Sequence, residues 1–314
     1  MNGEQSAMDV VLSGMVRIPG GKFLMGSDRH YREEAPAHRV YVDAFLMDVS
    51  CVTNSDFAHF VRETGYLTLA ERPADPEKYP GVSPEMLSPS STVFVRPTGK
   101  VDVRNQYNWW FYLKGANWRH PRGPDSNIDD LPDHPVVHIA YEDAEAYAQW
   151  AGKSLPTEAE WEFAARGGLE GAEYVWGDEF TPDGRHMANI WQGRFPYHNS
   201  LEDGFEFTSP VGSFPANGYG LNDMAGNVWQ WTSDWFQDHN LINSPCCTLS
   251  NPRGGNLENS YDPREPGSTI PRKVTKGGSH LCAPNYCQRY RPAARIAQPI
   301  DTSISHLGFR CVIR

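Results

Sequence analysis

The chain has 314 residues, and its 28 glycines and 25 prolines together occupy about one position in six. Because these residues break regular structure or permit unusual backbone angles, a mostly helical fold is disfavoured. The 28 basic residues against 39 acidic ones give a net charge of -11, so we expect neither nucleic acid nor an anionic membrane surface as a partner.

The composition is typical of a soluble, folded protein. Hydrophobic residues make up 39% of the chain, with 10 Trp, 14 Tyr and 14 Phe, which argues against disorder. No apolar run approaches the ~20 residues that cross a bilayer, and the first residues lack a basic start followed by a long apolar stretch. Six cysteines are too few for a secreted disulfide scaffold. We expect a cytoplasmic protein, and a monomer.

Short strands and then a helix are predicted at the start of the chain. Residues 15–27 are predicted to form two strands around a Pro-Gly-Gly turn, and residues 38–46 alternate with the period of a third strand. Thr53 is predicted to cap a helix over residues 54–63 that stops at Gly65. The buried stripe of this helix consists of Phe57, Phe60 and Val61.

Residues 66–134 form a long, proline-rich and irregular region, and a stretch of this kind is typical of a functional surface. Its aromatic cluster comprises Trp109, Trp110, Phe111, Tyr112 and Trp118. The composition shows no seam at which to divide the chain. We therefore expect one domain over residues 15–314 after a flexible tail of residues 1–14, with an insertion at 66–134 as the alternative.

Two further helices are predicted in the centre of the chain. One covers residues 142–151 and ends at Gly152. The other covers residues 158–166, where Thr157 and Glu160 have the spacing of a capping box. Only short strands and turns are expected after it. Three helices of about ten residues leave the helical share far below the usual third.

The residues with the most distinctive chemistry lie near the C-terminus, where Cys282 and Cys287 are five positions apart. A strand would place them on opposite faces and a helix would separate them by about 140°, so only a turn brings them together. Pro284-Asn285 is typical of such a turn. Gly277-Gly278 would let another backbone approach closely.

The residues around Cys287 indicate how its thiol is charged. If residues 286–291 form a strand, Cys287, Arg289 and Arg291 share one face. Two guanidinium groups beside a thiol favour its thiolate form.

Several kinds of cysteine site fit this spacing. Two thiolates without further sulfur ligands suit a soft, low-coordinate metal such as Cu(I) better than structural zinc. His280 and His306 could nevertheless complete a zinc site, and two ordinary buried cysteines or a disulfide also account for the spacing. The remaining cysteines are interpreted as structural, since free cysteine packs as a small hydrophobe. These are Cys51, Cys246, Cys247 and Cys311.

A second group of residues offers oxygen donors. Asn189-Ile190 and residues 202–205 lie in turn-like contexts, and residues 223–230 supply a carboxylate, main-chain carbonyls and a side-chain amide. Calcium accepts six to eight such oxygens in flexible geometry. Neither stretch matches an EF-hand loop, and plain Asx turns account for them as well.

The chain resembles the formylglycine-generating enzyme (sulfatase-modifying factor) family over nearly its whole length, and looks like a bacterial-type member. The matching stretches are GGKFLMGS at 20–27, VTNSDF at 52–57, HPVVH at 134–138, LPTEAEWEF at 155–163, ANIWQG at 188–193, GLNDMAGNVW at 220–229 and SHLGFRC at 305–311. Such stretches also occur in relatives with other activities. The cysteine pair within GGSHLC and YCQRYRPAAR is what resembles the true formylglycine-generating enzymes.

This resemblance implies a fold and a reaction. The fold is a single α+β domain, low in regular secondary structure and distantly related to C-type lectins. The enzyme would be an oxidoreductase that uses O2 to convert a cysteine of a sulfatase, within a Cys-x-Pro-x-Arg motif, to Cα-formylglycine. In the family, cysteines at the positions of Cys282 and Cys287 hold Cu(I), and the substrate thiolate adds as a third sulfur ligand.

The resemblance also assigns roles to individual residues. Cys282, Cys287 and Ser279 are the expected catalytic residues, and the sulfatase polypeptide and O2 are the expected partners. The substrate pocket is expected to include Trp229, Arg289, Arg291 and His306, although relatives carry asparagine where this chain has His306.

Two calcium sites are carried over from the family in the same way. The first consists of Asn189, Ile190, Asp203 and Phe205. The second consists of Asp223, Gly226, Val228 and Gln230, where glutamate is expected in place of Gln230. The secreted animal members form disulfides through cysteines in the central helices, and this chain has alanines there. Cys311 therefore lacks its expected partner, which favours a reducing compartment.

Two other functions stay open on the sequence. A non-catalytic, calcium-dependent, lectin-like binding module would use the oxygen-donor turns alone. A relative of the iron-dependent sulfoxide synthases would need a helical partner domain, and we expect none before Met15.

Overall fold

The α-helices occupy a small part of the protein. A computed structural model describes residues 14–239, 248–265 and 267–314. Within these ranges the α-helices are α1 (Asn54–Thr64), α2 (Tyr141–Trp150) and α3 (Glu158–Arg166). The predicted tail of residues 1–14 lies outside the described residues except for Gly14, and so do Cys246 and Cys247.

Fourteen short strands, with a few single-turn 3-10 helices, make up the rest of the regular structure in the described part of the chain. They are β1 (Met15–Ile18), β2 (Gly21–Met25), β3 (His38–Val42), β4 (Phe45–Asp48), β5 (Ser90–Phe94), β6 (Trp110–Lys114), β7 (Gly193–Arg194), β8 (His198–Asn199), β9 (Trp229–Trp235), β10 (Leu249–Ser250), β11 (Arg272–Lys276), β12 (Arg295–Pro299), β13 (Leu307–Gly308) and β14 (Val312–Ile313). The fold is therefore α+β with little regular structure, as predicted.

The strands form small sheets rather than one large one. The four-stranded sheet has the order β12-β11-β9-β13, in which β11 is antiparallel to both neighbours and β13 is parallel to β9. Two three-stranded sheets have the orders β1-β4-β14 and β10-β3-β2, and β5-β6 and β7-β8 are antiparallel pairs. Strands β11 and β12 flank the segment that carries both C-terminal thiols, so this sheet anchors that segment at both ends.

The N-terminal strand predictions are correct for residues 15–27 and wrong for residues 38–46. The first segment forms β1 and β2, which pair with β4 and β3 rather than with each other. The second segment is two strands, because the chain bends between Val42 and Phe45. At this bend Gly20 packs so closely that an added Cβ would lie 2.6 Å from the backbone nitrogen of Ala44. The bend sends β4 into a different sheet.

The helix ends follow the predicted capping chemistry. The Thr53 hydroxyl accepts a hydrogen bond from the Asp56 amide at 3.2 Å, and Gly65 ends α1 with φ of 67°. Thr157 and Glu160 form the predicted reciprocal box at the start of α3. Helix α2 begins one residue earlier than predicted.

Residues 66–134 are part of the core rather than a separate insertion. Trp118 packs edge-on against Phe57 of α1, with ring centroids 5.2 Å apart. Phe94 and Trp109 share a buried cluster with Leu281 and Ala283, which lie beside the first C-terminal thiol. The irregular region therefore supports the site directly.

Helix α3 is buried on every side, including its charged residues. Glu162 accepts hydrogen bonds from Lys276 at 3.0 Å and from Arg166 at 2.6 Å, and Glu158 accepts one from Arg295 at 2.8 Å. Buried charges are tolerated only when they are paired in this way. These pairs attach α3 to the end of β11 and the start of β12, immediately beside the thiol segment.

No helix in the described ranges is long and apolar enough to cross a membrane.

We predict that Thr157→Ala lowers the free energy of unfolding by about 1 kcal/mol, because an amide of α3 loses its capping oxygen in a buried setting. Thermal unfolding should show a melting temperature lower by about 2 °C. Thr98 is exposed, so Thr98→Ala is the control and should leave the melting temperature unchanged. Equal melting temperatures for both variants would contradict the capping role.

Candidate functional site

The two C-terminal thiols meet across a turn. The Sγ atoms of Cys282 and Cys287 are 3.4 Å apart, well beyond a disulfide bond of about 2.05 Å, and both cysteines are free. The amides of Tyr286 and Cys287 donate to the carbonyl of Ala283 at 3.0 and 2.8 Å. The predicted turn is confirmed, and the alternative of a disulfide is wrong for this structure.

The segment after Cys287 is not a strand, contrary to the prediction for residues 286–291. It runs instead against Gly278, where an added Cβ would lie 2.7 Å from the carbonyl oxygen of Arg289. This confirms the close backbone approach expected at Gly277-Gly278. Local alternation misled the prediction, because the segment is held by side chains from a distant part of the chain and not by a neighbouring strand.

Those side chains come from residues 31–34. Glu33 forms an ion pair with Arg289. Glu34 is fully buried and pairs with both terminal nitrogens of Arg291, with 2.9 Å between Nη1 and Oε2. Arg291 was expected to line the substrate pocket, but its guanidinium group is instead buried in this ion pair. Arg289 remains partly exposed beside the thiols.

The two thiols have opposite pKa shifts. The hydrogen bond from Cys282, together with the charges of Arg289 and Arg291, lowers the pKa of Cys287 below its ordinary value. Burial and the neighbouring Cys287 sulfur raise the pKa of Cys282 well above its ordinary value. These shifts favour the proton on Cys282 and the thiolate form at Cys287, as the predicted arginine neighbours indicated.

Ser279 and His306 lie together on the Cys282 side of the site. The Ser279 Oγ and the His306 Nδ1 are 2.9 Å apart, and the Ser279 carbonyl accepts from the Cys282 amide at 2.9 Å. Burial holds the pKa of His306 well below its usual range. The imidazole is therefore neutral.

Trp229 and Trp110 enclose His306. The Trp229 amide donates to the His306 carbonyl at 2.8 Å, and the Trp229 side chain belongs to the same buried cluster as Cys282. The Trp110 ring lies edge-on to the imidazole, with centroids 4.9 Å apart. Ser279 and His306 are thus joined by a hydrogen bond, and Ser279 is bonded through its carbonyl to the Cys282 amide.

His280 does not complete a zinc site with the thiols. Its Nδ1 lies 2.8 Å from the carbonyl oxygen of Asn227, and burial lowers its pKa to about 4. Among the described residues, no group of three or more His, Cys, Asp or Glu side chains is arranged to hold a metal ion. The zinc alternative is therefore not supported, because neither His280 nor His306 is grouped with the two thiols in the described part of the chain.

The first expected calcium set fits a hard cation. The Asp203 carboxylate accepts from the amides of Ile190 and Phe205, both at 3.0 Å, and burial raises its pKa. The Asn189 amide donates to the Phe207 carbonyl at 2.8 Å. The Asn189 Oδ1 is buried without a hydrogen-bond partner among the described residues. A buried oxygen without a partner, with a carboxylate bonded to the amide of the following residue, is donor chemistry that calcium takes.

The second expected calcium set does not fit. The Gln230 side-chain oxygen accepts from Trp161 Nε1 and from Arg310 Nε, each at 2.8 Å. A guanidinium group thus occupies the position where the ion would need a free lone pair. The Asp223 carboxylate accepts instead from the Gly212 amide at 2.8 Å. Gly226 packs against the Asn189 carbonyl and Val228 is buried among apolar side chains.

The residues that follow Asn189 and Ile190 of the first calcium set are bonded directly to the thiol turn. The Trp191 amide donates to the Cys282 carbonyl at 2.9 Å, and the Asn285 side-chain amide donates to the Gly193 carbonyl at 2.9 Å. The sequence did not predict these contacts. The sequence analysis also missed Tyr31, Glu33 and Glu34. The one available signal was that two arginines beside the thiols need two acids to balance their charge. That signal does not identify which acids of the chain are the partners.

Comparisons with known proteins agree with this fold. The sulfatase-modifying factor enzyme 1-like domain family matches residues 4–314. The chain is 54% identical to a formylglycine-generating enzyme from Mycobacterium tuberculosis, covering 96% of this chain and 98% of that protein. It is 47% identical to the mouse formylglycine-generating enzyme, covering 96% and 75% respectively. PvdO from Pseudomonas aeruginosa has a similar fold, with a TM-score of 0.59 and 23% identity over 96% of this chain and 94% of that one.

We predict that iodoacetamide alkylates Cys287 before any other described cysteine. Its lowered pKa keeps the thiolate populated below pH 9, so its rate should fall only as the pH drops through that lowered value. Cys282 should react slowly until the pH exceeds 9. Buried Cys51, whose pKa is raised to about 11, is the internal control. Peptide mapping that finds Cys282 modified first would contradict the charge assignment.

Proposed function

The chain belongs to the sulfatase-modifying factor enzyme 1-like family, and on that premise we propose that it converts a cysteine of a sulfatase to Cα-formylglycine. The observation that carries this proposal is the pair of free thiols, 3.4 Å apart, at the two positions where the family has its reactive cysteines. We further propose that the enzyme is an oxidoreductase that uses O2 and reads a Cys-x-Pro-x-Arg motif.

The donor set favours Cu(I) as the metal. Two sulfur donors without a third protein ligand suit a soft, low-coordinate ion. When bound, the ion supplies the one-electron chemistry with O2 that ordinary side chains lack. The lowered pKa of Cys287 favours the thiolate that a metal takes as a ligand, whereas Cys282, whose pKa is raised, would release its proton on becoming a ligand. Cys282 and Cys287 are thus the residues that would hold copper.

The remaining site residues orient the Ser279 hydroxyl and pack around His306. The Leu281 amide donates to the Ser279 Oγ at 3.2 Å, which leaves the Ser279 hydroxyl proton free to point at neutral His306. That hydroxyl is therefore directed at the imidazole, and the two side chains form a pair through which a proton can pass, three residues before Cys282. The Trp110 ring packs edge-on against His306, and the chain's net negative charge tolerates the arginine of the motif.

We propose a structural role for Ca2+ at the first set, Asn189, Ile190, Asp203 and Phe205. The buried Asn189 oxygen supports this assignment, because no protein donor satisfies it within the described ranges. Since Trp191 is bonded to Cys282, an ion that fixes this loop also fixes the backbone of one thiol. We do not extend the proposal to the second set.

We predict that Cys287→Ser abolishes turnover of a peptide containing Cys-Thr-Pro-Ser-Arg, because a hydroxyl is a poor Cu(I) ligand. The copper-loaded protein is incubated with the peptide under air, and the product is detected by its mass loss and by hydrazide capture of the aldehyde. Cys311→Ser is the matched control. Cys311 is fully buried, its amide donates to Asp48, and its sulfur is not paired with either thiol of the turn, so this variant should stay active.

Three outcomes would contradict the assignment. Wild-type protein with verified copper loading that gives no aldehyde would contradict the activity. Turnover by Cys287→Ser with stoichiometric copper would contradict the ligand pair. Calcium-dependent glycan binding that survives replacement of both Cys282 and Cys287 by Ala would favour the non-catalytic, lectin-like module.

We predict that calcium raises the melting temperature of the wild-type protein relative to a chelator, because a ligand that binds only the folded state stabilises it. Asp203→Ala should remove this difference by deleting the carboxylate of the first set. Asp129→Ala, at an exposed turn, is the control and should keep it. A calcium effect that persists in Asp203→Ala would place the ion elsewhere.

A further inference from the structure

Resting on the proposed function, we propose that Tyr31 is a positioning residue for the thiol pair, acting with Glu33 and Glu34 as a brace on the residue that follows Cys287. We call residues 31–34 the brace. None of its members is expected to contact the substrate. Their role is to fix the backbone that carries one of the two sulfur atoms.

The brace holds the Gln288 amide directly and the Gln288 carbonyl through Arg291. The Gln288 amide donates to the Tyr31 hydroxyl oxygen at 3.0 Å, across 257 positions of sequence. The Gln288 carbonyl accepts from Arg291 Nε at 2.8 Å, and Arg291 is itself paired with buried Glu34. Because Gln288 is covalently joined to Cys287, these two hydrogen bonds limit how far the Cys287 backbone can rotate.

The Tyr31 ring also orients the two arginines. The guanidinium carbons of Arg289 and Arg291 lie 4.0 and 5.7 Å from the ring centroid, within the range of cation–π attraction. Glu33 holds Arg289 from one side, and the Arg289 Nη1 donates to the Arg295 carbonyl at 2.6 Å. Arg289 is thus fixed beside the thiols rather than extended into solvent.

This arrangement matters most when a metal is bound. Two thiolates and one monovalent ion together carry a net charge of -1, which a fixed guanidinium group stabilises. When a residue that hydrogen-bonds to a metal ligand is mutated, metal affinity typically falls by about 10–100-fold. The Glu34–Arg291 pair would keep the segment folded without the Tyr31 hydroxyl, so the hydroxyl can be removed without dismantling the brace.

The test is Tyr31→Phe, which keeps the ring under the arginines and removes only the acceptor for Gln288. Cu(I) affinity is measured anaerobically by competition with a chromophoric Cu(I) chelator. We expect affinity about tenfold weaker than wild type, with the melting temperature within about 2 °C. Tyr219→Phe is the matched control, because the Tyr219 ring packs on Phe163 in the other core cluster. Its affinity should not change.

A second measurement does not require copper. Hydrogen exchange of the metal-free protein should be about tenfold faster at the Gln288 amide in Tyr31→Phe, while strand β11 keeps wild-type protection. Unchanged exchange at Gln288 overturns the positioning role, whatever the copper result. Faster exchange with unchanged Cu(I) affinity also overturns it, since the hydrogen bond would then not influence the metal ligand.

The result separates this inference from the proposed function. If wild-type protein binds no Cu(I), the copper assignment fails, and hydrogen exchange alone decides whether Tyr31 fixes the Cys287 segment. Glu33→Gln provides a second variant should Tyr31→Phe not fold. Its amide oxygen still accepts from Arg289 but carries no charge, and we expect a loss of Cu(I) affinity smaller than tenfold.

Discussion

The close approach of the Cys282 and Cys287 sulfur atoms is the interaction on which the site depends. Two thiols 3.4 Å apart in a mostly buried setting cannot both ionise without cost, so the pKa of Cys282 is raised while that of Cys287 is lowered. The turn at Ala283 brings the sulfurs together. The direction of each sulfur then depends on a separate anchor, Trp191 for the backbone of Cys282 and the brace of residues 31–34 for that of Cys287.

Buried ion pairs connect this site to the rest of the fold. Lys276, the last residue of β11, pairs with Glu162. Arg295, the first residue of β12, pairs with Glu158. Both ends of the thiol segment are therefore attached to the same buried helix, α3. A protein with so little regular structure has few long hydrogen-bond ladders to align distant segments. Charged pairs with fixed geometry serve that purpose, because leaving any one partner unpaired in the core would be strongly unfavourable.

Features that depend on interactions between residues close in the sequence were predicted correctly, and features that depend on distant residues were not. Thr53, Thr157 and Gly65 act on residues within four positions, and their roles were predictable. The strand expected at residues 286–291 failed, although its alternation was genuine, because Tyr31 and Glu34 hold that segment across 257 positions. The calcium site expected at Gln230 is not supported for the same reason, because Arg310, 80 positions away, donates a hydrogen bond to the Gln230 side-chain oxygen.

The amino-acid sequence by itself determined the helix caps, the need for a turn between the two thiols, the glycine that admits a second backbone, and the family resemblance. Each of these depends on neighbouring residues or on a motif that can be read directly. Only the tertiary structure decided which acids balance Arg289 and Arg291, which oxygen near Asn189 stays unpaired, and where His280 points. These outcomes depend on which distant side chain packs against a given buried polar group in the folded protein. A local sequence pattern carries no information about such long-range contacts.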